Sequence, residues 1–459
     1  MIFSSNAFIF RFLAILITAY LIIPGKYKNL VFLVGSLIFY GIGEPIFVWI
    51  MMGSLVINYL FAKRLLVIRR KRYVAIPVIL DLLLLGVYKY YNFAADNINH
   101  LFVDDVMPVF NIVLPIGISF YTFQMISFVV DCYRGDITGP IRFIDTATYI
   151  VLFPQLVAGP IVKYSEISNR LMDNSKSIRD IDLGMRTFTV GLALKVLVAN
   201  QIGTLWKAVQ TAGVIGLSTE MAWLGAFACT MQLYFDFWGY SLMAIGLGKM
   251  IGFKIPLNFD NPYVSTSISE FWRRWHMTLG RWFKEYVYIP LGGNRKGVVR
   301  TIINTFIVWA LTGLWHGADW NFILWGLTFF VLISLEKIGL GKLFDRFKWL
   351  GHIYVLFVMP VAWILFSIPD LRICWKYILC MFGHHGPKII IGFDQFTGYL
   401  SKYGLLMIIC VVLCTPYPIR FYNKYKHRGF MIPVLLVLFI WSVVELMMGV
   451  SNPFLYYRF

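Results

Sequence analysis

The sequence predicts an all-α polytopic membrane protein, with about eleven transmembrane helices plus re-entrant or interfacial helices. Three observations predict it. Of the 459 residues, 59% are hydrophobic, more than a soluble domain carries. Apolar runs near the length that crosses a hydrocarbon layer recur along the chain. Charged residues amount to only 14%, and they gather in short clusters between the apolar runs.

The first run spans about Phe8 to Ile23, with no small-residue cleavage site before the next apolar run, so it reads as a retained span. Leu30–Tyr40 and Ile46–Phe61 follow, with a turn at 41–45 between them. Lys63, Arg64, Arg69, Arg70, Lys71 and Arg72 form the strongest cytoplasmic anchor, and counting back from it places the N-terminus outside. Tyr73–Tyr88 returns outward, and polar Asn92–Asp105 suits an outer loop. Val113–Val130 carries Pro115, Gly117 and several hydroxyls, which fits a kinked or cavity-lining helix. Tyr149–Val162 is broken by Pro154 and Gly159-Pro160 and reads as a re-entrant segment.

Lys163–Arg186 reads as a charged cytoplasmic linker. Thr187–Ile202 and Ala222–Ile245 are the next spans. The second holds Gln232, Asp236 and Tyr240 on one polar stripe, and a buried Asp there should face a partner or a water-filled cavity. Ile302–Leu314, Phe322–Leu335, Ile353–Ile368, Leu405–Leu413 and Ile432–Val450 complete the series. Basic stretches lie at 336–348 and 420–428, and a mixed loop is expected over Pro369–Tyr399. No fixed-period repeat interrupts this pattern, so residues 1–459 read as a single integral membrane domain.

The formal net charge of +18 reads as topology, because Lys and Arg hold loops on the cytoplasmic side. With no compact basic domain, nucleic acid is not an expected partner, whereas membrane lipid is. The six cysteines have no zinc-type spacing, so no metal site is expected and they read as small buried apolar residues.

The chain is organised around residues 267–326, where Arg, Trp, Gly and His concentrate. His276 and His316 each follow a Trp directly, Trp275 and Trp315. Ionisable groups at membrane depth are costly and are functional candidates by default. Over 270–286 the spacing predicts a helix. Trp272, Trp275, His276, Leu279 and Phe283 fall on one face, with Arg273, Arg274, Arg281 and Lys284 mostly off it. That pattern is a basic amphipathic helix at the cytoplasmic interface. His316 follows the apolar run 302–314 and sits among Gly313, Gly317 and Asp319, where the backbone can bend and a polar pocket can open.

These passages resemble the membrane-bound O-acyltransferase superfamily, and within it the alginate and peptidoglycan O-acetylase membrane subunits. The similar passages are 1–6, 43–45, 114–124, 153–160, 232–236, 271–276, 288–294, 313–317 and 452–454. The resemblance implies a ring of membrane helices around a central tunnel joining the two faces. It implies an acyl group taken from a cytoplasmic thioester and delivered to an acceptor outside. His316 matches the family's near-invariant histidine and His276 its upstream one.

Acyl transfer to an alcohol needs a base for the hydroxyl, a stabilised oxyanion and a leaving group that departs. Histidine titrates near neutrality and serves as base, then as acid. His316 is the candidate for that role, and His276 the candidate for orienting donor or acceptor. Arg273 and Arg274 suit donor phosphates, since a guanidinium binds phosphate bidentately, while membrane anchoring is their other reading. Gln232 and Asp236 are candidates for orienting a catalytic group, and Asp319 and Asn321 for polarising His316. No Ser or Cys has a nucleophile-elbow pattern, which favours direct transfer or transfer through a partner.

The expected function is a multi-pass O-acyltransferase of the plasma or inner membrane. It would move an acyl group, acetyl above all, onto hydroxyls of an extracytoplasmic polysaccharide or cell-wall glycan. The donor is acetyl-CoA or an acyl-carrier thioester, and no tightly bound cofactor is implied. The family implies a separate extracytoplasmic partner of the SGNH-hydrolase-like class. D-alanyl transfer to teichoic acid is the near alternative. A transporter or flippase is the alternative from another class; the pairing of Trp-His dipeptides with Gly and the lack of an inverted pair of similar broken helices in this sequence argue against it.

Overall fold

A computed structural model describes residues 2–102, 106–172, 178–213, 216–385 and 393–449. The sequence passages ending at 105, spanning 163–186 and 369–399, and closing the chain at 452–459 fall wholly or partly outside them. Among the described residues, seven helices are long and apolar enough to cross a membrane: Phe47–Val67, Lys71–Asn99, Arg179–Ala212, Gly297–His316, Trp320–Arg346, Lys348–Ser367 and Asp394–Cys414. Phe8–Ile22 and Met431–Met447 are shorter apolar helices. Large apolar side chains stay exposed along them. On Asp394–Cys414, Leu405 is 73% and Ile408 63% exposed. In water such a surface would aggregate; in lipid it is the outer face of a bundle. The chain is a multi-pass membrane protein.

The chain divides into two compact units. The first holds residues 2–189 and 240–257. Its aromatic floor joins Phe3, Phe8, Phe39 and Phe153, and Phe3 stacks on Tyr240 at 4.7 Å. The motif at 114–124 opens the helix Ile118–Arg134 behind Gly117, whose φ is +75°. A Cβ there would lie 2.4 Å from the carbonyl oxygen of Leu156. Only glycine combines that left-handed turn with that approach. Within Tyr149–Val162 the helix Phe143–Val151 ends, Leu152 breaks it, and the short helix Phe153–Leu156 leads into non-helical backbone. In this unit Asp81 is 3% exposed. It accepts hydrogen bonds from Ser54 Oγ at 2.5 Å and Asn58 Nδ2 at 2.9 Å, which answers the cost of placing a carboxyl inside a span.

The second unit holds, of the described residues, those within 190–239 and 258–449, and contains both candidate histidines. Its helices Gly297–His316 and Trp320–Leu335 form a close antiparallel hairpin.

Three segments differ from the sequence reading. Charged 163–186 is not a plain linker. It holds the helices Tyr164–Met172 and Ile178–Ala193, in which Tyr164, Ile167 and Leu171 of the first and Phe188 and Leu192 of the second recur at helical spacing and are buried. Within 92–105, the helix of the preceding span continues as Tyr91–Asn99. Within 369–399, Asp370 caps the helix Leu371–Met381 by accepting from the amides of Arg372 and Ile373. That is a start signal an acidic residue supplies.

Candidate active site

The expected helix over 270–286 is broken in two. Ile268–Arg274 and Met277–Phe283 are separate helices, with Trp275 extended and His276 left-handed at φ 44°, ψ 51°. The amphipathic spacing of Trp272, Trp275 and His276 therefore does not describe one helical face. The cause is a competing partner. Met277 N donates to the Asn258 carbonyl at 2.9 Å instead of to the preceding turn, and Asp260 N donates to Arg274 O at 2.9 Å. The segment 258–260 thus takes over hydrogen bonds that a continuous helix would make within itself.

The first short helix is capped at its N-terminus from two directions. Ser267 Oγ accepts from Glu270 N at 3.0 Å. Glu336, 7% exposed, accepts from Ile268 N at 2.6 Å and Ser269 N at 2.9 Å. A carboxylate at a helix N-terminus satisfies orphan amides and meets the positive end of the dipole. Arg274 is fully engaged within the protein. It donates to Glu270 at 3.0 Å, and to the carbonyl and carboxylate of Asp260 at 3.1 and 3.2 Å. Burial opposes the charge of Glu270, but hydrogen bonds from Thr266 and the Arg274 guanidinium hold its carboxyl below the ordinary value. Arg273 is exposed.

His316 is the last residue of its helix and is 3% exposed. Aromatic rings wall it. Trp325 lies edge-on at 4.9 Å and Phe366 at 5.2 Å, and its neighbour Trp315 is 4.9 Å away. His276 is 2% exposed, with Phe237 edge-on at 4.7 Å and Trp315 at 5.9 Å. Trp315 is therefore ring-to-ring with both histidines. Beyond it Trp272, Trp275, Trp325 and Trp363 continue the aromatic wall. A site lined this way excludes water, so polar groups in it act at close to full electrostatic strength. Burial pushes the His276 imidazole down to about 3, so the ring is neutral.

The remaining predicted residues sit around this centre. Asn321 is fully buried and donates to the Phe366 carbonyl at 3.0 Å, fixing a ring that walls His316. Asp319 accepts from Trp320 N and starts the next helix. Asp236 does not stand alone in its helix: Lys195 Nζ is 2.5 Å from it, both groups buried. Gln232 packs against the helix Asn200–Ala212 at Gly203, where a Cβ would lie 2.5 Å from its amide nitrogen. Asn258, Lys195, Trp325 and Phe366 were not singled out from sequence. A lone Lys within the apolar run 192–199 was the available signal for Lys195.

Residues 136–375 match the model of the membrane-bound O-acyltransferase family, MBOAT. That match covers the whole region that builds both histidine pockets. The chain belongs to the membrane-bound O-acyltransferase family. As an MBOAT protein it is an O-acyltransferase. It is similar to a probable alginate O-acetylase, AlgI, of Pseudomonas aeruginosa, at 37% identity over 395 residues, covering 83% of this chain and 75% of the relative. The corresponding protein of Pseudomonas putida is 34% identical over 490 residues and covers all of both chains. A peptidoglycan O-acetyltransferase of Helicobacter pylori is 32% identical over 453 residues, covering 90% of this chain and 86% of the relative.

Proposed function

We propose that this MBOAT protein transfers acetyl from a cytoplasmic thioester, acetyl-CoA or an acyl carrier, to hydroxyls of an extracytoplasmic polysaccharide or cell-wall glycan. The observation that carries this reading is His316, a buried histidine at the end of an apolar helix, walled by aromatic rings. The names of its relatives, acting on alginate and on peptidoglycan, support a glycan acceptor. In the proposed reaction His316 takes the hydroxyl proton as the oxygen attacks the thioester carbonyl. The C–O bond forms, the C–S bond breaks, and His316 returns the proton to the departing thiolate. His276 orients the reacting group. Arg273, exposed at the end of its helix, is the candidate for donor phosphates, with Arg274 bracing the same turn. Trp275, Trp315 and Asn321 shape the pocket, while Gln232 and Asp236 stabilise the helices behind it. A separate extracytoplasmic partner of the SGNH-hydrolase-like class completes delivery, and no tightly bound cofactor or metal takes part.

The test is glycan-bound O-acetyl ester in cells carrying wild type, His316→Ala or His276→Ala at matched membrane levels. Loss of ester with His316→Ala is expected. Unchanged O-acetyl ester on deletion of the gene would overturn acetyl transfer, and D-alanyl ester would then be the product to measure. Full cellular activity in a folded His316→Ala protein would instead favour a transporter or flippase.

A further inference from the structure

His276 and Asn261 are the two non-glycine residues with positive φ among the described residues, and both belong to the clamp between segment 258–261 and the broken helix. Non-glycine residues persist in this conformation only where their surroundings over-determine it. Here the surroundings converge on one side-chain atom. Asn258 Oδ1 accepts from Thr278 N at 3.2 Å and Thr278 Oγ1 at 2.9 Å, and lies 3.1 Å from His276 Nδ1. Asn258 is 1% exposed.

The assignment of hydrogens follows from the backbone. A peptide N–H only donates, so the Asn258 atom facing Thr278 N must be the amide oxygen. The same oxygen faces His276 Nδ1, which must therefore carry the hydrogen. In a neutral imidazole the other nitrogen, Nε2, then holds the lone pair. Burial against Phe237 and Trp315 keeps the ring neutral, because a charged imidazolium would lose its hydration there.

We propose that Asn258 is a positioning residue that locks His276 in the Nδ1–H tautomer, so that Nε2 accepts a hydrogen bond from the acceptor hydroxyl. The second half of this proposal rests on the acyl-transfer reading; the tautomer does not. The assignment excludes a role it would otherwise be natural to give His276. With Nδ1–H committed to Asn258 and no hydrogen on Nε2, this ring donates no hydrogen bond to an oxyanion. It aligns the nucleophile, and oxyanion stabilisation falls to other donors.

The experiment is nitrogen NMR of the full-length protein in lipid bilayers with ¹⁵N-labelled histidine rings, the His276 signals identified by their loss in His276→Gln. The expected spectrum has protonated Nδ1 and pyridine-type Nε2 in wild type and in Asn258→Asp, whose carboxylate accepts the same three hydrogen bonds. Asn258→Leu removes the acceptor and is expected to change or mix the tautomers, with kcat lowered roughly 10²-fold and KM for the thioester little changed. Protonated Nε2 in wild type, or an unaltered tautomer in Asn258→Leu, overturns the lock. Should Asn258→Leu not fold, the wild-type and Asn258→Asp spectra decide alone. Wild-type transfer that continues at full rate in an Asn258→Leu protein with altered tautomer overturns the hydroxyl-aligning role. Absence of acetyl transfer by wild type in membranes that hold its partner, the glycan and acetyl-CoA overturns the proposed acetyl transfer, and leaves the tautomer to the spectrum.

Discussion

Lys195 Nζ lies 2.5 Å from Asp236 Oδ1, with the two side chains 2% and 1% exposed. Each charge alone in this setting would be strongly unfavourable, and together they compensate. Removing one partner leaves the other buried without this counter-charge. Lys195→Met or Asp236→Asn alone is therefore expected to destabilise the protein by about 3–5 kcal/mol, while the double variant recovers most of that loss. Melting temperatures in detergent check this. A double variant whose loss equals the sum of the two single losses would mean that the two charges are not coupled.

The hairpin that ends in His316 closes through glycine. A Cβ at Gly326 would lie 2.5 Å from Trp309 O and 3.1 Å from Gly313 Cα, both backbone atoms that cannot swing aside. Gly326→Ala is expected to cost about 1–3 kcal/mol as the helices separate, and to lower transfer because His316 moves with its helix. Gly280→Ala is the control, since the nearest atom to its Cβ would be 3.8 Å away. It should leave melting unchanged or slightly raised. Equal behaviour of the two variants would show that the close approach is not limiting.

Sequence pattern made the membrane class legible because apolar length and clustered Lys and Arg are local signals. It located His316 for the same reason: an ionisable residue at the end of an apolar run stands out. It misread 270–286 because helical periodicity records which side chains are apolar, not where backbone amides find partners. At His276 the amide of Met277 is taken by the carbonyl of Asn258, nineteen residues earlier in the chain, and no window over 270–286 contains that competitor. The pairing of Asp236 with Lys195 was hidden likewise: the sequence marked the carboxylate as needing a partner, and only the packing of two helices supplied its identity.

The buried imidazole of His276 makes stability depend on acidity with a defined sign. Burial lowers its pKa from 6.5 to about 3 in the folded protein. Between those values the unfolded chain binds a proton that the folded protein does not. Stability from this group is complete above about pH 6.5 and falls as pH drops, by up to about 1.4 kcal/mol per pH unit. His276→Gln removes that proton uptake. Its melting temperature is expected to fall less steeply than that of wild type between pH 6.5 and 4.5. Parallel curves would count against a neutral buried ring.

Direct transfer makes a further demand on the cysteines. Cys132, Cys229, Cys374, Cys380, Cys410 and Cys414 are all buried and form no disulfide. A thiol nucleophile would need to become a thiolate, and an apolar surrounding disfavours that charge. Their physical role is that of small apolar side chains at helix contacts, as where Cys414 Sγ meets Met231 Sδ at 3.7 Å. A variant with all six replaced by Ala is expected to lose some stability through the cavities left behind, at about 1 kcal/mol for a removed group of methyl size. It should keep transfer within a few-fold of wild type per folded molecule. The check is O-acetyl ester formed per unit of folded protein, together with radiolabelled acetyl retained on the denatured chain after a single turnover. Retained label in wild type that disappears in the cysteine-free variant, with transfer abolished, would establish an acyl-enzyme on a thiol in place of direct attack assisted by His316.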